Sequence, residues 1–185
     1  MAVGLETIAT QSDPIGAELA HWQRPNGLDI TRQSTPLGVI GVIYESRPNV
    51  SADAAGLCLK SGNALILRGG SESFHSSSKI VEIINRSYEN FKLHKGILQY
   101  IPTKDRNAVG HLLKMDDFVD VIIPRGGRSL IERVINDSKV HVIRHLDGIC
   151  HTYIHKSSIA NLSKEVAVNA KMRRPGICGA TETIL

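Results

Sequence analysis

Short runs of aliphatic residues alternate along this chain with segments of helical periodicity. The clearest runs are residues 38–44 ("GVIGVIY"), 64–68 ("ALILR") and 120–124 ("DVIIP"), and glycine or proline lies at an end of each run or directly after it. Runs of this length that are rich in β-branched residues predict buried strands. The segments "ILQYIP", "VHVIRH" and "CHTYIH" predict three further strands, and "ETIL" predicts the start of another.

Helices are predicted between these strands. The helix after the first strand is expected to have Ser51 as its N-cap, Asp53 in its first turn and Gly62 at its C-terminus. A second helix is predicted over residues 73–90, with three isoleucines on one face, Ile80, Ile83 and Ile84. The segments "KDRNAVGHLLKM", "SLIERVINDS" and "SIANLSKEVAVNAKM" predict later helices.

The repeated order of strand, glycine turn and helix predicts an α/β fold. Its sheet is expected to be of Rossmann type, largely parallel, with helices on both faces. Residues 1–35 are predicted to form an N-terminal helical segment, because residues 5–22 have weak helical periodicity; "RPNGLDI" after them has the composition of a turn. Parallel sheets bind ligands at the carboxyl ends of their strands, so a site is expected there.

The composition restricts the classes of function. A chain of 185 residues with 42% hydrophobic residues has room for one domain or slightly more. Lys and Arg are scattered and aromatic residues make up only 4%, so nucleic-acid binding is not favoured over a pocket for a phosphorylated small molecule. No apolar run approaches the ~20 residues that span a bilayer, and no signal-peptide pattern opens the sequence. A cytoplasmic protein with reduced cysteines and no membrane partner is expected.

Two glycine turns follow predicted strands. Gly69, Gly70 and Ser71 follow the "ALILR" strand, and Gly126 and Gly127 follow "DVIIP". Bare backbone amides at the start of a helix suit a phosphate or a nucleotide. Neither turn matches a dinucleotide fingerprint or a Walker loop, so a purely structural turn stays an alternative.

A cluster of histidines and a cysteine invites a metal interpretation. His141, His145, Cys150 and His151 lie within eleven residues. On extended strands, however, successive side chains point to opposite faces and would not converge on one ion. No metal site is therefore expected.

Cys178 lies in "RRPGICGATETIL", behind a Pro-Gly turn and before two small residues. The neighbouring Arg173 and Arg174 would favour the thiolate form, and a thiolate on an open loop can attack an acyl carbon. Buried cysteines more often act as small hydrophobic residues, so a structural thiol is the alternative.

Two long segments carry a resemblance to a known family. "TPLGVIGVIYESRPNVSADAAGLCLKSGNALILRGGSES" and "NAKMRRPGICGATETIL" resemble the gamma-glutamyl phosphate reductase family of the aldehyde dehydrogenase superfamily. The similarity covers residues 4–185. It implies an aldehyde-dehydrogenase-like fold and NADPH-dependent reduction of L-glutamyl 5-phosphate to L-glutamate 5-semialdehyde, with release of phosphate through a cysteine thioester, in proline biosynthesis.

The resemblance also implies roles for individual residues. Cys178 corresponds to the nucleophile, and Asn49 corresponds to the amide that stabilises the oxyanion together with the cysteine's own N–H. For Asn49, a simple cap of the following helix is the alternative. Three arginines are candidates for binding the substrate's phosphate or carboxylate, with a surface role as the alternative: Arg47, Arg173 and Arg174.

For the cofactor, the resemblance implies contacts on both glycine turns. Arg68 occupies the position of the superfamily's strand-end lysine, beside Gly69 and Gly70, and Gly126–Gly127 corresponds to the turn that approaches the pyrophosphate. Ser71 stands where NAD-preferring relatives often carry a glutamate. A carboxylate would repel a 2′-phosphate and a hydroxyl does not, so NADPH is favoured.

One segment departs from the superfamily pattern. Hydrolytic aldehyde dehydrogenases carry a water-activating glutamate where this sequence has "HLDGI", with His145 near that position and Asp147 two residues later. A reductase that resolves its thioester with hydride needs no activated water. The departure therefore favours an acyl-phosphate reductase.

Three regions are predicted by this likeness. They are the N-terminal segment 1–35, a cofactor-binding Rossmann-like domain over 36–170, and the start of a catalytic domain over 171–185. Family members run to more than twice this length, so the isolated chain is expected to be inactive. The alternative function is a non-catalytic remnant or a nucleotide-binding domain without turnover. A homo-oligomer, or completion by a separate catalytic-domain chain, is also expected.

Overall fold

The computed structural model describes residues 1–144 and 148–185. The chain divides into two compact units, Met1–Arg144 and His145–Leu185. The predicted boundaries at residues 35 and 170 do not coincide with this division. The predicted assignment of these regions to functional domains stays a prediction.

The first unit contains most of the regular structure. Its elements in chain order are α1 (Ala2–Thr10), β1 (Glu18–Gln23), β2 (Asp29–Gln33), β3 (Val39–Tyr44), α2 (Asn49–Lys60), β4 (Ala64–Arg68), α3 (Phe74–Asn90), β5 (Leu98–Tyr100), α4 (Asn107–Leu112), β6 (Val121–Arg125), α5 (Arg128–Asp137) and β7 (His141–Val142).

Strands β3 to β7 form one parallel sheet in the order β5-β4-β3-β6-β7. The chain starts at β3, moves outward through β4 to β5, and then crosses to the other side of β3 for β6 and β7. The predicted α/β fold with a parallel sheet is confirmed. The connections after β3 and after β6 lead to opposite sides of the sheet. Parallel sheets open a crevice for ligands at such a position.

Alternate residues of β3 enter two different cores. Ile40, Val42 and Tyr44 pack in one cluster with residues of β4, α2 and α3. Ile43 packs in the other cluster with Ile122 of β6 and residues of α4 and α5. Both faces of the sheet are therefore covered by helices, which is why the central strands are continuous apolar runs without alternation.

The N-terminal segment differs from the prediction. Helix α1 ends at Thr10, and an antiparallel hairpin of β1 and β2 follows where helix was expected up to Trp22. The predicted turn in "RPNGLDI" is confirmed, with Gly27 at φ +85°. Nearly every residue of the hairpin is exposed, so its strands lack the alternation of apolar and polar residues that identifies a half-buried strand.

The start of α2 was also placed wrongly. The helix begins at Asn49 with Pro48 as its N-cap, so Ser51 lies inside the helix and not before it. The Ser51 side chain is fully buried, and its Oγ is 2.6 Å from the Tyr44 hydroxyl. The predicted glycine end is confirmed, because Gly62 has φ +71° directly after the helix.

The buried face of α3 is one position away from the predicted one. Ile83 is 55% exposed, whereas Val81 is buried and Ile84 packs against the first core cluster. The buried side of the helix also includes two polar residue types, Ser77 and Tyr88. A pattern read from isoleucines alone could not detect that face.

The second unit is small, and most of its described residues are exposed. It contains β8 (Cys150–Thr152), α6 (Ala160–Met172) and β9 (Thr181–Ile184), and β8 pairs with β9 in parallel. The predicted strand in "ETIL" is confirmed by β9. Among its described residues only Ala167, Ala180 and Thr181 are buried.

Replacing Ile122 with alanine is expected to lower the free energy of unfolding by about 2–5 kcal/mol, because its side chain is fully buried in the sheet. Ile83→Ala is the matched control on the exposed side of α3 and should change that free energy by less than about 0.5 kcal/mol. Urea denaturation measures both. Equal losses would contradict the observed burial of Ile122 and exposure of Ile83.

Candidate functional site

A cleft of about 660 Å³ lies at the carboxyl ends of β3, β4 and β6 in the first unit. It occupies the crevice between β3 and β6 at which the strand order reverses. The residues that line it are Ile43, Tyr44, Glu45, Ser46, Arg47, Arg68, Gly70, Ser71, Glu72, Arg106, Val109, Ser129, Leu130 and Arg133.

The cleft is rich in cations. Four arginines line it against two glutamates: Arg47, Arg68, Arg106 and Arg133 against Glu45 and Glu72. A concave surface with this excess of positive charge attracts a polyanion. Arg106 and Arg133 were not identified from the sequence because they come from the N-cap of α4 and from α5, far along the chain from either glycine turn.

The first glycine turn packs tightly against neighbouring loops. A Cβ on Gly70 would lie 3.1 Å from the backbone nitrogen of Ser46, and one on Gly69 would lie 3.0 Å from the hydroxyls of both Tyr44 and Tyr100. A side chain at Gly70 would require the Ser46 backbone to shift, so glycine favours this close approach of backbone to backbone. The turn after β4 is thereby held against the loop that follows β3.

Arg68 is almost completely buried at the end of β4, although it also lines the cleft. One terminal nitrogen donates to the Gly69 carbonyl, and the other donates to the carbonyls of Lys104 and Asp105 at 3.2 and 3.1 Å. Burial lowers the pKa of its guanidinium, and nearby Tyr100 partly opposes this shift. Its Nε is buried and has no hydrogen-bond partner among the described residues. Arg68 therefore fixes the loop before α4, and its predicted contact with a cofactor stays a prediction.

The second glycine turn binds a carboxylate. The Gly127 amide, at the N-cap of α5, donates to Oε2 of Glu45 at 3.0 Å. A Cβ on Gly126 would lie 2.7 Å from the carboxylate carbon of Glu45. An anion is stabilised at this position by the partial positive charge of the helix N-terminus. Sequence reasoning missed Glu45, since 82 residues separate it from the turn.

Ser71 lies exposed in the cleft beside a second carboxylate. Glu72, the next residue, accepts a hydrogen bond from the Ser46 hydroxyl at 2.9 Å. NAD-preferring relatives often carry a glutamate at the position of Ser71, whereas this chain has its carboxylate one residue later, at Glu72. The hydrogen bond from Ser46 links that carboxylate to the β3–α2 loop.

Asn49 and Arg47 belong to the same β3–α2 loop region. Asn49 is exposed, and its side-chain amide donates to Asp53 at 3.2 Å, one turn along α2. It is the first residue of the helix and not its cap, so the capping alternative is wrong. Arg47 is exposed and lines the cleft.

Cys178 lies in the second unit on an exposed turn between α6 and β9. The turn is closed by a backbone hydrogen bond from Ala180 to Ile177 at 3.0 Å. Arg173 follows the last residue of α6, and both it and Arg174 are exposed. The structural-thiol alternative does not fit this exposed position, whereas Cys58 is a buried thiol in the first unit.

Two residues named from the sequence, His145 and Asp147, lie outside the described residues. Across residues 1–144 and 148–185, no three His, Cys, Asp or Glu side chains are grouped as metal ligands would be.

Comparison with known proteins identifies the family. The model of the aldehyde dehydrogenase family matches residues 3–176. The chain belongs to the aldehyde dehydrogenase family.

Within this family, the chain is similar to gamma-glutamyl phosphate reductases. It is 57% identical over its whole length to that of Paramagnetospirillum magneticum and 60% identical to that of Rhodospirillum rubrum, and it covers 44% and 43% of them. The crystal structure of the Thermotoga maritima gamma-glutamyl phosphate reductase matches 98% of the chain with a TM-score of 0.87 and 36% identity, over 44% of that structure. The chain thus spans less than half the length of these relatives.

Aldehyde dehydrogenases use NAD(P) as cofactor, and the cleft residues fit such a nucleotide. The Gly127 amide already binds an anionic oxygen, so the N-terminus of α5 accepts negative charge. Gly70 lines the cleft without a side chain, and the positive charge of the cleft arginines attracts phosphate groups. The Glu45 carboxylate must leave the Gly127 amide before a phosphate oxygen can take its place.

Changing Glu45 to glutamine is expected to lower the Kd for NADH and NADPH alike by roughly three- to tenfold, because a charge that competes for the helix N-terminus is lost. Nucleotide fluorescence titration measures the Kd. Glu18→Gln, on the exposed β1 strand, is the control with the same change of charge. An unchanged or higher Kd in the Glu45 variant would show that the carboxylate does not compete with nucleotide.

Iodoacetamide at about pH 8 is expected to alkylate Cys178 and leave Cys58 unmodified. Burial raises the pKa of the Cys58 thiol to about 11, so its thiolate forms only as the pH approaches that value. Peptide mass mapping identifies the alkylated residues, and unfolding in urea should make Cys58 reactive. Early alkylation of Cys58 in the folded chain would contradict its burial.

Proposed function

We propose that this chain provides the nucleotide-binding part and the nucleophile of an NADPH-dependent reductase of L-glutamyl 5-phosphate. The products are L-glutamate 5-semialdehyde and phosphate. The observation that carries the proposal is the cationic cleft at the β3–β6 crevice, which the first glycine turn lines and whose Glu45 accepts a hydrogen bond from the second. Similarity to gamma-glutamyl phosphate reductases suggests the substrate.

The preference for NADPH rests on the turn after β4. Ser71 offers a hydroxyl to the adenosine ribose, and a hydroxyl tolerates a 2′-phosphate that a carboxylate would repel. The carboxylate of the next residue, Glu72, accepts a hydrogen bond from Ser46. Arg68 and its neighbouring cleft arginines favour the extra negative charge of the 2′-phosphate.

Cys178 is the proposed nucleophile. Its thiolate attacks the acyl carbon of the acyl phosphate, a C–S bond forms, and the C–O bond to phosphate breaks so that phosphate leaves with the electron pair. The Asn49 amide and the Cys178 backbone N–H are proposed to donate hydrogen bonds to the oxyanion of the tetrahedral intermediate. The nicotinamide, when bound, supplies hydride to the thioester, and the Cys178 thiolate is released with the aldehyde product.

Three arginines are proposed to position the substrate. Arg47 lines the cleft, and Arg173 and Arg174 lie just before the cysteine turn. A guanidinium can bind a carboxylate or a phosphate through two parallel hydrogen bonds, which suits both ends of L-glutamyl 5-phosphate.

A second candidate function is nucleotide binding without turnover. It is favoured by one observation, that every residue lining the cleft lies in the first unit, Met1–Arg144. Nucleotide binding would then be independent of Cys178. A Cys178→Ser variant that binds NADPH normally is expected under both functions. Only the reductase function predicts turnover once a chain that completes the catalytic domain is added, and this substitution should abolish that turnover.

The proposed partner is a small-molecule substrate. In the described part of the chain, no helix combines the length and apolarity needed to cross a membrane. Association with further copies, or with a chain that completes the catalytic domain, stays a prediction. The exposed apolar residues of α6, Leu162, Val166 and Val168, are compatible with it.

The 185-residue chain is expected to bind NADPH with a lower Kd than NADH. Ser71→Glu should raise the Kd for NADPH by about tenfold or more and leave that for NADH nearly unchanged, because only NADPH brings a 2′-phosphate against the new carboxylate. Ser87→Glu introduces the same charge at an exposed position of α3 and is the control. Equal binding of both nucleotides to the unsubstituted chain would refute the proposed preference for NADPH.

A further inference from the structure

Two of the three cysteines are in contact in the second unit, through the thiol of one and the backbone of the other. The Sγ of Cys150, on β8, is 3.2 Å from the backbone carbonyl oxygen of Cys178. Cys178 is exposed and Cys150 is partly exposed, so an oxidant in solution reaches the pair. The proposed reductase reaction uses only Cys178 and gives Cys150 no role.

The pairing of β8 with β9 holds Cys150 close to Cys178. Cys150 pairs with Thr181 in the β8–β9 ladder, only three residues after Cys178. The hydroxyls of Thr152 and Thr181 are 2.7 Å apart and tie the same two strands together.

Gly148 packs directly against Cys178. A Cβ on Gly148 would lie 2.8 Å from the Cys178 carbonyl oxygen and 3.4 Å from its Cβ. The glycine therefore lets the cysteine turn lie close to the start of β8. A side chain at this position would push the turn away from Cys150.

We propose that Cys150 and Cys178 form a reversible intramolecular disulfide when a hydroperoxide oxidises the protein. The Cys178 thiolate attacks the peroxide oxygen, the O–O bond breaks, and the residue becomes a sulfenic acid while water or alcohol leaves after protonation. The Cys150 thiolate then attacks that sulfur, and the S–S bond forms as hydroxide leaves and takes up the thiol's proton as water. In total, one peroxide is reduced by two electrons and two thiols are oxidised.

Cys150 is thus a resolving thiol for Cys178. Without a neighbouring thiol, an exposed sulfenic acid can be oxidised further to a sulfinic acid, which is not reversed by thiols. If the proposed function is correct, the disulfide stops catalysis and preserves the nucleophile for later reduction. The disulfide itself depends only on the two thiols and not on that function.

The test is peptide mapping of the purified 185-residue chain under non-reducing conditions, after titration with hydrogen peroxide. The expected product is a peptide in which Cys150 and Cys178 are linked, with loss of two hydrogens, which dithiothreitol reverses. Titration of free thiols should fall from three to one per chain. These readouts do not involve turnover, so they separate this proposal from the proposed reductase function.

Three variants sharpen the test. Cys150→Ser should yield no linked peptide and should accumulate sulfinic acid on Cys178. Cys58→Ser should form the linked peptide at the normal rate, because Cys58 is buried in the first unit. Gly148→Ala keeps both thiols and should slow cross-linking severalfold by displacing the cysteine turn.

Sulfinic acid on Cys178 at the same rate with and without Cys150 would overturn the proposal. So would a disulfide that joins Cys178 to Cys58 or to a second chain in place of Cys150. If Cys150→Ser fails to fold, the Gly148→Ala and Cys58→Ser variants still decide, since a linked peptide formed equally fast in Gly148→Ala would contradict the packing on which the proposal rests.

Discussion

The parallel pairing of β3 with β6 is the constraint on which the candidate site depends. These strands are far apart in the sequence and neighbours in the sheet, with Ile43 opposite Pro124 and Tyr44 opposite Arg125. Because the connections from β3 and from β6 lead to opposite sides of this pair, the loops after the two strands separate and leave a crevice. The pairing also divides the apolar residues of β3 between two cores, so burial on both faces fixes the register that places the crevice.

Around this crevice, backbone contact and charge act together. Glycines bring the turn after β4 and the turn before α5 against the loop after β3, and that loop supplies Glu45 and Ser46 as their partners. Among the cleft arginines, Arg68 also satisfies backbone groups, since its terminal nitrogens donate to backbone carbonyls while the side chain borders the cleft.

The sequence predicts the sheet well because buried parallel strands are continuous apolar runs, and β3, β4 and β6 lie within a residue or so of their predicted ranges. It predicts both glycine turns for the same reason, since they directly follow those runs.

Glu45 and Arg133 were missed because their place in the cleft depends on which strands are neighbours, and no local pattern records that order. Ile83 was misassigned because Ser77 and Tyr88, both polar in type, occupy the buried face of α3. The proximity of Cys150 to Cys178 likewise follows from strand pairing and not from spacing.

The buried hydrogen bond between Tyr44 and Ser51 has a consequence for how this protein can vary. It links the last residue of β3 to the first turn of α2, so both ends of the intervening loop are fixed relative to each other. An inserted or deleted residue cannot be absorbed by sliding the helix, because that would separate the two hydroxyls inside the core and leave both without a partner. The loop that carries Glu45, Ser46, Arg47 and Asn49 can therefore diverge among related proteins by exchanging side chains while its length stays constant.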